Sequence, residues 1–330
     1  MESLYHYFMF EQNTLPEFNH RRSLCAIIIT IHMDNYDVII NLIKQNRRIC
    51  FFHGKKYLIQ KTYQERTGQK LNLDTPSTFR EKLQLRKLTT NPLITKCADK
   101  YTVRDYVKNK IGAKYLIPQY FCHKHISPKE LTSLPNSFAI KTTSGSGANI
   151  IIKDKTKANL AEICQKMNSY TKIKYGYLWG EFFYNKTNNQ IIAEKLLTKN
   201  EVYDYKIHCF RDDKDKLRQI IEVMWGPKSN RHKSMYDSNW QPLHYYFSIP
   251  PDGHTFKKPQ QLAELLKLSD KLSEDFKYVR VDFYIIKNQI YFGELTFVPT
   301  AGFNPFHPAK YDQIWGSWIG DFSQENPKMV

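Results

Sequence analysis

From Val279 to Ile285 the chain alternates without a break, with Val281, Phe283 and Ile285 on one side and Arg280, Asp282 and Tyr284 on the other. Period two is the signature of a strand with two unlike faces. A second such run, Ile290–Phe297, follows a polar turn at Lys287-Asn288-Gln289. The pair is predicted as a hairpin over Tyr278–Ile285 and Ile290–Phe297. Centring its turn on Asn288 sets Asp282 opposite Glu294 and Arg280 opposite Thr296. Two facing carboxylates about 5 Å apart repel by roughly 3 kcal/mol at an effective dielectric of 20. Either solvent and Arg280 screen them on an exposed hairpin, or a bound cation neutralises them. Oxygen-only ligands on a sheet suit Mg²⁺, which takes one or two carboxylates plus substrate phosphates.

Charge narrows the partners. The 330 residues carry 49 Lys+Arg against 32 Asp+Glu, a net charge of +17. Residues 51–200 hold 27 Lys+Arg and 10 Asp+Glu, so the whole excess sits in that block. Such a surplus favours polyanions: nucleotide phosphates, nucleic acid, acidic polysaccharide or an anionic membrane face. An apolar share of 41% excludes a disordered chain, and the length suggests two or three lobes. The longest apolar run, Leu24–Ile31, has eight residues where a bilayer span takes roughly 20. With Glu2, Glu11 and Glu17 and no basic leader, a signal peptide is not expected, and the chain reads as cytoplasmic. Its six cysteines are widely spaced with no CxxC, which speaks against zinc knuckles and a disulfide framework. His123 and His125 form a lone HxH without further ligands nearby.

Along the chain, Leu24–Ile31 reads as a buried strand, Tyr36–Gln45 as a helix and Ile49–His53 as a second strand, a truncated β-α-β unit. Residues 54–98 read as a basic, mostly helical connector. Asp99–Ile111 is predicted as an amphipathic helix, with Val103, Tyr106, Val107 and Ile111 on one face and Gly112 closing it. Strands follow at Ser137–Lys141, Asn149–Lys153, Ile191–Leu197, Tyr205–Phe210 and Leu217–Val223. Helices are expected over Lys157–Met167 and Leu262–Phe276. Strands and helices mix without regular alternation, so an α+β fold is preferred to a doubly wound sheet.

Between the strands at 137–141 and 149–153 lies Thr142–Ala148 (TTSGSGA). It lacks the lysine and hydroxyl of a P-loop and the third glycine of a dinucleotide fingerprint. A strand-to-strand glycine loop can cover phosphates with backbone N–H groups, and Lys141 ends the strand that enters it. A plain Gly/Ser turn beside a solvated lysine fits the same letters.

Seven segments in order resemble the ATP-grasp superfamily, in particular its teichuronopeptide-biosynthesis, TupA-like branch. They are residues 71–88, ADKYTVRDYVKNKIG (98–112), FAIKTTSGSGANIIIKDK (138–155), IIAEKLL (191–197), DYKIHCF (204–210), YVRVDFY (278–284) and IYFGELTFVPTAGF (290–303). The resemblance implies two α+β lobes gripping ATP: a small lobe over 96–197, a large lobe over 198–330, and a connector segment over 1–95. It further implies that Lys100 and Lys141 bind the ATP phosphates, with Ser144, Gly145, Ser146 and Gly147 as the flap. Glu194, Lys195 and Leu197 would form the adenine hinge, and Asp204, with Glu201 as competitor, would hold the ribose. Arg280 would stabilise charge on the transferred group, while Asp282 and Glu294 hold magnesium. The family often has Asn where this chain has Thr296, whose hydroxyl can ligate or hold a water.

The implied reaction joins an amine to a carboxylate through an acyl phosphate, using ATP and Mg²⁺. In the TupA-like branch the implied setting is capsule or other cell-surface polysaccharide biosynthesis, with an acidic sugar acceptor and an amine donor. Arg231 and His232, within Trp225–Trp240, are candidate contacts to that acceptor. Peripheral membrane contact stays open, and nucleic acid is not the expected partner. Three rivals remain: a glycosyltransferase using Asp213-Lys214-Asp215, a kinase on the same scaffold, and a non-catalytic polyanion binder.

Overall fold

The computed structural model describes residues 36–89, 91–226 and 230–325, so the strand expected over Leu24–Ile31 lies outside the described residues. Helix α1 spans Tyr36–Thr67, broken at Gly54 (φ 82°, ψ 169°). This corrects the second strand: Ile49–His53 is helical, and no β-α-β unit forms from it. Four apolar residues and a histidine satisfy either period, and the helix formers on both sides decide the outcome.

Helix α2 (Phe79–Leu88) starts on a capping box. Thr78 accepts from the Glu81 N–H, and the Glu81 carboxylate accepts from the Thr78 N–H at 3.1 Å. The cap aims Phe79 into an aromatic nest, where it meets Tyr278, Trp315 and Phe306 edge-on. Thr78→Ala is therefore expected to cost about 1 kcal/mol, read as a lower urea midpoint at unchanged slope.

Next come α3 (Pro92–Ala98) and α4 (Val103–Ile111), the latter closed by Gly112 at φ 101° as expected. The first sheet contains β1 (Gln119–His123), β2 (Phe138–Thr142), β3 (Asn149–Ile152) and β4 (Ile191–Lys195), in the order β1-β4-β2-β3, all antiparallel. Between its strands lie α5 (Pro128–Thr132), α6 (Leu160–Tyr170) and the short α7 (Gly176–Trp179). Helix α6 begins three residues later than expected because Asn159 caps it, accepting from Glu162 N. Period two decides the faces of this sheet. Phe138, Ile140, Ile191 and Ala193 enter a core with Met167 and Tyr170, which leaves Lys141 and Glu194 on the opposite face.

The second sheet comprises β5 (Asp204–Arg211), β6 (Leu217–Trp225) and β7 (His232–Tyr236). After the short β8 (Tyr246–Phe247) and helix α8 (Leu262–Ser273), it adds β9 (Tyr278–Ile286) and β10 (Gln289–Thr296). Its order is β10-β9-β5-β6-β7, again antiparallel throughout. Ile207, Val281 and Phe283 pack with Leu265, Leu268 and Leu272 of α8 and with Tyr106 and Val107 of α4. Strand β11 (Phe306–His307) pairs with β8, and α9 (Lys310–Ser317) follows.

The β9–β10 hairpin agrees with the expected pairing but reaches it differently. Its turn is the two residues Lys287-Asn288, both at positive φ (49° and 66°), and Ile286 faces Gln289. That register is one residue off until Phe292. Gly293 is then an extra residue in β10, and beyond this bulge Asp282 faces Glu294 and Arg280 faces Thr296. Asp213-Lys214-Asp215 sits in the β5–β6 turn, with Asp215 at φ 60°.

Candidate functional site

The polar faces of the two sheets meet in a cleft of two adjoining cavities, about 350 and 480 Å³. The first is bordered by Lys100, Lys141 and Gly145–Gly147 on one side and by Asp282 and Glu294 on the other. Glu194, Lys195, Leu197, Glu201 and Asp204 border the second. Residues drawn from across nearly 200 positions of sequence thus converge on one space. Lys141 and Glu194 stand on neighbouring strands, and the lysine Nζ donates to Glu194 Oε2 at 2.8 Å. Arg104 Nη1 lies 3.6 Å from the other Glu194 oxygen.

The glycine loop is tied down at its base and open at its tip. The Thr143 N–H bonds the Gln190 carbonyl, and the Ser144 N–H bonds Asn189 Oδ1 at 3.2 Å. Ser144 is buried and anchors the loop, whereas Gly145, Ser146 and Gly147 face the cleft. Gly145 (φ 76°) lies against the Tyr175 ring, where a Cβ would come within 2.4 Å of a ring carbon. Ser146 Oγ bonds the Tyr175 hydroxyl at 2.7 Å. Lys100 Nζ donates to the Gly145 carbonyl at 2.5 Å, which holds the loop over the lysine.

On the facing sheet, charges alternate in a chain. Arg280 grips Asp282 through Nε and Nη2, each at 2.7 Å. Lys206 Nζ donates to Asp282 Oδ2 at 2.6 Å and lies 3.5 Å from Asp204. Arg280 Nη2 also donates to Thr296 Oγ1 (3.1 Å), which in turn donates to Glu294 Oε1 (3.0 Å). Arg280 and Thr296 thus stand behind the carboxylates, and neither is among the residues lining the cavities. Asp282 is buried, while the Glu294 side chain is 40% exposed toward the cleft.

These contacts set the protonation states. Burial would raise Glu294, but Lys100, Arg280 and Lys206 outweigh it and hold the carboxyl below its ordinary range. Burial likewise pushes Lys100 down, against the pull of Glu294. For Lys206 burial again pulls down, but Asp282, Asp204 and Glu294 together outweigh it and raise the ammonium. Burial raises Asp204, against Lys206.

Among the described residues no three His, Cys, Asp or Glu side chains gather as a metal site. The acid pair, with Glu294 braced by the Thr296 hydroxyl, nevertheless offers hard oxygen donors beside two lysines, which fits Mg²⁺ sharing its shell with phosphate oxygens. Thr296 itself, expected as a third ligand, does not reach the cavity. Glu294 is the accessible member, since Arg280 and Lys206 occupy both oxygens of Asp282.

Arg231 and His232, paired in sequence as acceptor contacts, part company. Arg231 borders both cavities with Nη1 3.9 Å from Asp204, while His232 stacks on Trp225 and bonds Asp252. Residues 227–229 of that segment lie outside the described ones. Lys206, Tyr175 and Arg104 were missed by sequence reasoning. Alternation in Asp204-Tyr205-Lys206-Ile207-His208 marks Lys206 as sharing the face of Asp204, a usable signal. Nothing local marks Tyr175, which meets the loop only in three dimensions.

Deeper in the same sheet, His208 is fully buried between Tyr278 Oη (2.8 Å) and Glu222 (3.4 Å), and Glu222 takes the Lys233 ammonium at 2.8 Å. Burial lowers His208 from 6.5 to about 4, despite Glu222. The unfolded chain takes up a proton as pH falls through 6.5, and the folded one does not until about 4. Stability is thus expected to fall by about 3 kcal/mol across that window through this group. A His208→Asn variant whose stability declines just as steeply there would contradict the assignment.

The family model for TupA-like ATP-grasp proteins matches residues 81–320. No curated protein matches the chain. Among solved structures it is similar to D-alanine–D-alanine ligase from Helicobacter pylori, at 14% identity and TM-score 0.37, over 70% of this chain and 61% of that one. It is also similar to the Bacillus anthracis D-alanine–D-alanine ligase (18%, TM-score 0.35, over 62% and 58%). N5-carboxyaminoimidazole synthase from Aspergillus clavatus, a complex with ADP and its ribonucleotide, matches at 13% and TM-score 0.36, over 63% of this chain and 46% of that one. The chain thus spans about half to three fifths of the length of these structures.

Proposed function

The chain belongs to the TupA-like ATP-grasp family, and from that premise we propose that it is an ATP- and magnesium-dependent carboxylate–amine ligase. One observation carries the reading. Two lysines and a glycine loop face two carboxylates across a single cleft, with Glu194 and Asp204 in the adjoining cavity. Bound Mg-ATP would supply the phosphoryl group that activates the acceptor carboxylate.

The chain's own residues do the rest. Lys100 and Lys141 neutralise phosphate charge, and Gly145–Gly147 cover the phosphates and exclude the water that would hydrolyse an acyl phosphate. Asp282 and Glu294 would hold the metal, with Thr296 bracing Glu294 from behind, and Arg280 keeps Asp282 aimed. Glu194, Lys195 and Leu197 form the base-binding hinge, and Asp204 takes the ribose, with Arg231 beside it. Phosphoryl transfer asks chiefly for positioning and charge neutralisation, which this arrangement is suited to give. We take residues 96–197 and 198–330 as the two gripping lobes and 1–95 as the preceding segment.

The acceptor is read as a carboxylated sugar of cell-surface polysaccharide assembly, joined to an amino acid or similar amine on the cytoplasmic side. The basic block of residues 51–200 supports an acidic acceptor, and His232 is its candidate contact outside the nucleotide cleft. An ADP-release screen over amino acids with acidic sugar acceptors tests the proposal. Release that requires both substrates supports it. A phosphorylated acceptor that survives every amine would make the protein a kinase instead.

A further inference from the structure

The break in α1 exposes seven consecutive residues, Phe51 to Tyr57. Phe51 is 84% exposed and Phe52 73%, and the chain turns at Gly54 where a side chain would meet nothing within 4 Å. Scattered apolar side chains on a surface are ordinary, but two adjacent phenylalanines this bare are not. The surrounding sequence, Lys44 to Tyr57, holds five Lys or Arg residues and no carboxylate. Lys44, Arg47, Arg48 and Lys55 border a basin of about 510 Å³ beside the two rings. Aromatic faces help place two of these cations: Arg47 lies 5.8 Å from the Tyr177 ring centre and Lys55 4.9 Å from that of Phe182.

We propose that this elbow of α1 docks the protein on an anionic phospholipid surface. Phe51 and Phe52 would enter the acyl boundary, and the basin would take headgroup phosphates. Exposed rings flanked by cations on a segment that carries no acid of its own are the makeup of an interfacial helix segment. Among the described residues only Lys56 of the five cations has a carboxylate partner, Asp74 at 2.9 Å, and it does not border the basin. Charge complementarity selects an anionic surface over a neutral one. The rings favour lipid over an acidic polysaccharide: they meet edge-on, 5.1 Å apart at 88°, and so offer a sugar no shared flat platform. Among the described residues no helix is long and apolar enough to cross a membrane.

Co-sedimentation of the full chain with vesicles tests this independently of the ligase reading, since neither phenylalanine borders the cleft. The protein is expected to sediment with vesicles of equal parts phosphatidylcholine and phosphatidylglycerol, less so as salt rises, and not with phosphatidylcholine alone. Phe51→Ser/Phe52→Ser should weaken partition about tenfold or more. Arg47→Glu/Arg48→Glu should weaken it about a hundredfold. Both variants should keep the wild-type thermal midpoint, because the residues replaced are exposed.

Four results would overturn the proposal. The wild type could fail to sediment with the anionic vesicles, or both variants could sediment as it does. Inorganic phosphate or a soluble acidic polysaccharide could bind at the basin while anionic vesicles do not. Light scattering could show a dimer that the serine variant dissociates, which would make the elbow an interface between copies.

Discussion

Replacing Asp282 and Glu294 should separate the fold from the chemistry. Asp282→Ala removes the carboxylate held by both Arg280 and Lys206 in a buried setting. Two buried cations then lose their shared, closest counter-charge and keep only Asp204 (3.5 Å from Lys206) and Glu294 (3.4 Å from Arg280), and stability is expected to fall by about 3–5 kcal/mol. Glu294→Gln acts differently. Its side chain is partly exposed and keeps a hydrogen-bond acceptor for Thr296, so stability should change by about 1 kcal/mol or less. Both variants should lose magnesium-dependent ADP release by about 10²–10³-fold, because charge developing on the transferred group is no longer stabilised. A folded Glu294→Gln protein with near wild-type turnover would show that the carboxylate pair is structural only.

Lys141→Ala is the second large effect. The ammonium sits at the cleft and donates to Glu194, and Arg104 remains near that carboxylate after the change. Loss of one charge-assisted contact to phosphate is worth about 1.5–3 kcal/mol, or about 10–150-fold in ATP affinity. Lys141→Arg should recover only part of this, since a planar guanidinium does not reproduce a compact ammonium in the confined space under the loop. Calorimetric titration with ATP reads both variants, and equal affinity in wild type and Lys141→Ala would remove the lysine from the phosphate site.

Much of the site was legible because period-two strands write their faces into the sequence. Alternation alone placed Asp282 and Arg280 on one face of β9. Pairing within the hairpin came out right through two one-residue departures that cancel, a shorter turn and the bulge at Gly293. Pattern reading does not resolve either, since Lys287-Asn288-Gln289 offers turn residues at each position and a lone glycine in a strand marks a bulge only weakly. The same ambiguity defeated Ile49–His53, where four apolar residues in a row fit a strand but their neighbours make them helix.

What sequence could not supply was the company each charge keeps. Sequence left two ways to hold the facing acids, screening with help from Arg280 or a bound cation, and Arg280 with Lys206 supplies part of the neutralisation from within the chain. Separation of Arg231 from His232 has a simple origin: adjacent residues entering β7 point to opposite sides, so one reaches Asp204 and the other Trp225. The charge surplus of residues 51–200 also divides. Lys100 and Lys141 border the cleft, whereas Lys55 and Lys56 stand on the exposed elbow of α1.

The most direct test of the central claim, a magnesium-nucleotide site between basic and acidic walls, is the thermal midpoint of the full chain with added nucleotides. Mg-ATP is expected to raise the midpoint clearly, ATP with a chelator to raise it less, and nucleotide sugars not at all. A midpoint that rises with nucleotide sugars and is unmoved by Mg-ATP would contradict the account.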